Sequence, residues 1–128
     1  MRKTVCLLFV IFLLLCGCSQ KEKSDLPINP VVGNFSYEEV LNYYKDTDEP
    51  GIKRSGFVNV EKTEVNNADQ AAELAIKECK VEYDTISVAF DAASTMYMVS
   101  FGKTDNDGGN QDVYIDREGI TQLIIYGE

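Results

Sequence analysis

The sequence predicts an α+β domain in which an antiparallel β-meander packs against one or two helices. Three patterns predict it. Beyond residue 84, four segments alternate as strands do and are joined by short turns. Over residues 68–80, small apolar side chains recur at helical spacing. Residues 36–39 read Ser-Tyr-Glu-Glu, the signature of a capped helix start. The chain has 128 residues, room for one such domain.

The first 17 residues read as an address and lie outside that domain. Arg2 and Lys3 form a positive start, and an unbroken apolar run fills residues 5–15. About 11 residues suit a secretory segment, whereas a membrane-spanning helix needs about 20. Leu15-Cys16-Gly17-Cys18 follows. It resembles the lipobox of bacterial lipoproteins, with Leu at the third place before the cysteine and a small residue directly before it. That resemblance implies diacylglycerol transfer to the Cys18 thiol, cleavage between Gly17 and Cys18, and retention by lipid. Cys16 is the rival acceptor, but Leu15 is bulky for the small-residue slot. The expected location is the extracytoplasmic face of the cell envelope: the outer face of the plasma membrane or, in a two-membrane source, the outer membrane, which Ser19 favours by analogy. Cleavage leaves 111 residues with a net charge of −11, and Cys79 as the one cysteine other than Cys18. No intramolecular disulfide is then available to the domain.

Residues 18–34 are polar and proline-punctuated (Pro27, Pro30), show no helical or strand period, and read as a flexible tether. Residues 35–128 read as a single small domain. Ser36 caps the first helix, with Glu39 answering in the capping box and Phe35 and Val40 as a hydrophobic staple. Tyr37, Val40, Leu41 and Tyr44 form its apolar face, and Asp46-Thr47-Asp48-Glu49-Pro50-Gly51 breaks it. A strand is expected over 56–65, with Val58 and Val60 on one face. Asn67 caps a second helix over 68–80, with Gln70 in the answering position. Ala68, Ala71, Ala72, Ala75, Ile76 and Cys79 form its apolar stripe, small enough to lie close against a sheet. Strands follow at 86–90, 96–101, 112–116 and 120–126, with turns at 91–94 and 117–119 and a loop at 103–110. Both helices are expected on one face of the meander.

Residues 67–128 resemble two groups of small exported bacterial domains. The alanine helix Ala71-Ala72-Glu73-Leu74-Ala75-Ile76, the strand Tyr97-Met98-Val99 and the hairpin Val113-Tyr114-Ile115-Asp116-Arg117-Glu118-Gly119 are similar to those of the PepSY-like group. That group often has Trp where Tyr97 begins the strand. Gly108-Gly109, Gly119 and Gly127-Glu128 resemble glycines of the NTF2-fold immunity group. Residues 35–65 match neither. The first resemblance implies protease inhibition or envelope sensing, the second neutralisation of a toxin, and neither carries catalytic residues over.

Composition excludes several functions. With 12 basic against 21 acidic residues and a net charge of −9, the chain lacks the positive stripe that nucleic acid requires. It has no histidine, which removes the commonest general base and the Ser-His and Cys-His nucleophile pairs. Asp105-Asn106-Asp107-Gly108 invites a calcium-loop reading, but Lys103 and Tyr114 would occupy its first and twelfth ligand positions, where carboxylates are needed. It reads instead as a solvated turn. The carboxylate pairs Glu38/Glu39, Asp105/Asp107 and Asp112/Asp116 read as solvated faces, and Cys79 as a small core residue. No catalytic, cofactor or metal residues are assigned.

Seven tyrosines stand out, with Tyr37, Tyr43 and Tyr44 crowded on the first helix and Tyr97, Tyr114 and Tyr126 on the meander. Tyrosine is enriched in interface hot spots, and an acidic chain suits a basic protein partner. The sequence therefore predicts a non-catalytic binding or inhibitory module anchored in the membrane through Cys18. An immunity lipoprotein and a carboxylate-dependent envelope hydrolase are the alternatives. The anchor makes a direct prediction. Cys18→Ala moves the protein from the membrane to the soluble fraction on cell fractionation, and continued membrane retention refutes the assignment.

Overall fold

A computed structural model describes residues 27–30, 35–48, 50–54, 63–105 and 109–127. Among these, β1 (Ile28–Pro30), α1 (Tyr37–Tyr44), β2 (Ile52–Arg54), α2 (Ala68–Ile76), β3 (Thr85–Asp91), β4 (Met96–Gly102), β5 (Gln111–Asp116) and β6 (Thr121–Tyr126) follow in chain order. The strands form one six-stranded sheet in the order β1-β3-β4-β5-β6-β2. β3 to β6 are the expected antiparallel meander, with Val88, Val99 and Val113 in register across β3, β4 and β5. β1 extends it in parallel beside β3, and β2 antiparallel beside β6. The fold is α+β.

Each helix begins where its cap residue requires. Ser36 and Asn67 have extended backbones, and their side chains accept from the amides of Glu39 and Gln70. The Gln70 carboxamide answers one residue earlier than a strict box, accepting from Asn66 N at 2.8 Å. α2 stops at Ile76, four residues short of the expected end. The amides of Glu78 and Cys79 tighten onto carbonyls three residues back. Gln111, fully buried on β5, then holds the exit: it donates to Glu78 O at 2.8 Å and accepts from Lys80 N at 2.7 Å. A tertiary bond from the sheet takes over from the helical ladder, so Cys79 lies past the helix.

The helices lie on opposite faces of the sheet, not on one. Ala71, Ala72 and Ala75 of α2 pack with Val65, Ile86, Val88, Tyr97, Val99, Phe101, Val113, Ile115 and Ile124. The alternate residues Met96, Tyr114, Leu123 and Ile125 face the other way and are buried with Tyr37 of α1. Strand periodicity explains this: where runs such as Met96-Tyr97-Met98-Val99 and Leu123-Ile124-Ile125 are apolar at every position, both faces need cover. A register shift at Tyr114/Ile115 pairs Tyr114 with Leu123 but Ile115 with Thr121, leaving Gln122 as the extra residue of a bulge.

Two further expectations change. Residues 28–30, inside the stretch read as tether, are β1, with Ile28 packed against the α2-side core. The strand expected at 56–65 falls mostly on residues outside those described. Its described end, 63–65, is not a strand but bonds Thr63 N to Glu118 O and Val65 N to Arg117 O. These contacts close over the β5–β6 turn, where Gly119 has φ 78° and an added Cβ would meet the Thr63 carbonyl.

Gln111→Leu leaves the Lys80 amide and the Glu78 carbonyl without their partner. It is expected to lower unfolding free energy by about 1–3 kcal/mol, read from the urea midpoint with the slope unchanged. A loss near zero would mean that water replaces the side chain.

Candidate functional site

The α1 face of the sheet gathers Tyr37, Tyr44, Tyr114 and Asp112 of the side chains singled out in the sequence. α1 is amphipathic: Tyr37 is buried, Val40 and Tyr44 are half-buried, and Glu38, Glu39, Asn42, Tyr43, Lys45 and Asp46 are exposed. Its inner side meets Tyr114 at the middle of the sheet. The ring centroids of Phe35 and Tyr37 lie 5.8 and 5.6 Å from that of Tyr114, both tilted. Phe35 and Val40, the residues of the expected staple, both pack against this cluster.

One carboxylate seats the helix. Asp91, 8 % exposed at the end of β3, accepts from Tyr37 N at 3.1 Å and from Ser94 Oγ at 2.5 Å through Oδ2. Its Oδ1 accepts from Ala93 N at 3.1 Å. The Ser94 hydroxyl first, then the Tyr37 amide, holds its pKa below the ordinary carboxylate value. Tyr37 N is one of the amides that a helix start leaves unbonded, and an anion is favoured there. Asp91 therefore does two things: it closes the β3–β4 turn, which Thr95 completes with φ 54°, and it pins α1 to the sheet.

Asp112 has the opposite character. It lies opposite Ser100 and Ile125 on this face, and burial pushes its pKa up against the pull of a hydrogen bond with Ser100. Its neighbour Tyr114 is raised well above the ordinary phenol range, by burial first and then by Asp112, Tyr44 and Tyr37. A raised and a lowered carboxylate suggest an acid–base pair, but their register separates them. Asp91 pairs with Met96, and Asp112 with Ser100, so they lie four residues along the strands and two strands apart. At about 3.4 Å per residue and 4.8 Å per strand that is about 17 Å, against roughly 5–9.5 Å for paired catalytic carboxylates.

The other carboxylates do local work. Asp116 accepts from Glu118 N at 2.9 Å, Ile120 N at 3.0 Å and Gln122 Nε2 at 2.9 Å, closing the β5–β6 turn. About 14 Å of strand separates it from Asp112. Asp84 accepts from Thr104 N at 2.8 Å, and Lys103 pairs with the exposed Glu82 at 2.9 Å. The cation in the first position of the calcium-loop reading is thus engaged with a carboxylate. Asn106, Asp107 and Gly108 lie outside the described residues, as do Gly17 and Cys18. Cys79 is half-buried, its thiol pushed up by burial and directed at Val81 O at 3.4 Å, which disfavours a thiolate nucleophile. Among the described residues no three His, Cys, Asp or Glu side chains gather as a metal site. Nor is any helix there long and apolar enough to cross a membrane.

The outer surface of α1 offers contact chemistry. Tyr43 is 75 % exposed and Leu41 39 %, with the Tyr43 ring edge-on to Tyr44 at 4.7 Å. The tyrosines divide accordingly: Tyr37, Tyr97 and Tyr114 are core, Tyr44, Tyr83 and Tyr126 are half-buried, and Tyr43 faces outward. Sequence reasoning missed Asp91 and Gln111. Asp91-Ala92-Ala93-Ser94 does carry a turn signal, but nothing local links it to a helix 54 residues earlier. No family model matches the chain, and no curated protein or solved structure matches it.

The two carboxylates predict opposite pH behaviour. Asp91, with its folded pKa lowered, stabilises fully above the unfolded value of 3.8, and this contribution is lost as pH falls through the folded value. Asp112, with its folded pKa raised, destabilises as pH rises above the unfolded value of 3.8, and in full once pH has passed the folded value. Thermal unfolding should therefore show Asp112→Asn more stable than wild type at pH 7, with the gain gone below about pH 3.8. Asp91→Asn should be less stable at pH 7, with a deficit that shrinks in acid. A deficit for Asp112→Asn at pH 7 would contradict the burial penalty.

Proposed function

We propose that the protein is a lipid-anchored extracytoplasmic binding module, held at the envelope through Cys18, whose α1 outer surface contacts a basic partner protein. The observation that carries this reading is Tyr43, a large aromatic 75 % exposed on a helix whose inner face is seated by Asp91 and Tyr114. A rigidly held tyrosine offers contact area with little side-chain entropy to lose, and such residues dominate interface energetics. Glu38 and Glu39 on the same helix and Asp46 just beyond it are exposed, against Lys45 at its C-terminal cap. That balance favours a cationic surface, and an arginine of the partner can stack on the Tyr43 ring. The placement of the carboxylates supports binding over hydrolysis, since Asp91 and Asp116 are occupied in closing turns and Asp84 in holding Thr104. Inhibition, as in the PepSY-like group, and neutralisation of a toxin are both forms of such binding.

The test is capture of partners from envelope extracts on the solubilised protein, followed by affinity measurement with the purified partner. Tyr43→Ala is expected to weaken binding about tenfold or more, and raised salt to slow association. Unchanged affinity for Tyr43→Ala, with the partner still bound, would remove α1 from the interface.

A further inference from the structure

We propose that β1 is a strap that fixes which end of the domain faces the membrane and how far it stands off, a role that rests on Cys18 bearing the lipid. β1 runs parallel to β3, pairing Ile28, Asn29 and Pro30 with Ile86, Ser87 and Val88. Its one inward side chain is Ile28, packed against the α2-side core, while Asn29 and Pro30 are exposed. Pro30 brings no N–H to the ladder, which suits it to an edge. Because the pairing is parallel, the chain coming from Cys18 reaches the sheet at the start of β3. That end also carries Gly102, Gln111 and Tyr126, and Lys80 beside Gln111. The opposite end carries Asp91, Asp116 and the two hairpin turns at 92–95 and 117–120.

Ile28 is ten residues beyond Cys18, whereas Phe35, the next of the described residues packed into a core, is seventeen beyond it. An extended chain spans at most about 3.3–3.6 Å per residue. Docked β1 therefore keeps the sheet within about 35 Å of the lipid, and without it the limit is about 60 Å. With β1 in place, the hairpin turns and the start of α1, seated on Asp91, point away from the bilayer.

Energy transfer tests this on the full lipidated chain in vesicles with acceptor-labelled headgroups. Single donors are placed at Lys80→Cys and at Arg117→Cys, both exposed positions, in a Cys79→Ala background. The donor at 80 is expected to lie nearer the bilayer by about 20 Å, the length of a six-residue strand. Ile28→Asp should move both donors outward and erase the difference. A ten-residue Gly-Ser insertion after Gln20, eight residues before Ile28, should move both outward by up to about 35 Å. Equal distances in the lipidated parent, or distances unmoved by Ile28→Asp in a chain that remains folded, overturn the strap while leaving the anchor intact. Vesicle retention that persists in Cys18→Ala overturns the anchor itself, and the strap's role falls with it.

Discussion

The bond from the Tyr37 amide to the Asp91 carboxylate ties together parts of the chain that no local preference would join. α1 has only eight residues, too short to persist in water by its own hydrogen bonds. It exists because Tyr37 and Phe35 bury their rings on Tyr114, and because Asp91 supplies an anion where the helix start needs one. The same carboxylate accepts from Ala93 and Ser94 and so shapes the β3–β4 turn. Helix seating and hairpin closure are therefore one event. The outward direction of Tyr43 follows from it, since six residues on from the buried Tyr37 is about 120° round the helix.

A two-faced sheet is the second constraint. Residues 35–128 contain one cysteine, Cys79, so no disulfide can form within them, and they must draw their stability from burial. They do so by making the central strands apolar on both sides and giving each face a helix. On one side the alanines of α2 let backbone approach backbone. On the other, larger rings fill the space beneath a shorter helix. Polar groups inside this arrangement are few and each has a role: Gln111 ends α2, Asp116 closes a turn, and Asp112 is held beside Ser100 at the cost of a raised pKa.

The meander and both caps were legible in the sequence, because strand alternation, turn residues and Ser36/Asn67 capping are short-range signals. What escaped were features decided by residues far apart. The C-terminal end of α2 depends on Gln111, 31 residues from its partner Lys80. The placement of α1 on the second face depends on Met96, Tyr114, Leu123 and Ile125, whose apolar character was visible but had not been counted as a second buried side. β1 is too short and polar to show a period, and its pairing is set by β3. At the candidate site, the apolar face of α1 was legible and left Tyr43 outside it, but the exposure of Leu41 was not. Asp91 read as a turn residue and nothing more, since its second role needs the fold to bring Tyr37 to it.

The most direct measurement of the central claim is native-state amide hydrogen exchange, residue by residue, in wild type and Asp91→Ala. If Asp91 seats α1, the Tyr37 amide and the α1 amides lose protection in the variant while those of β4 and β5 keep most of theirs. Retained protection at α1, or an equal fall across α1 and the central strands, would contradict it. The first result would show the helix held without the carboxylate, and the second would make Asp91 a support of the whole domain and not of the binding surface.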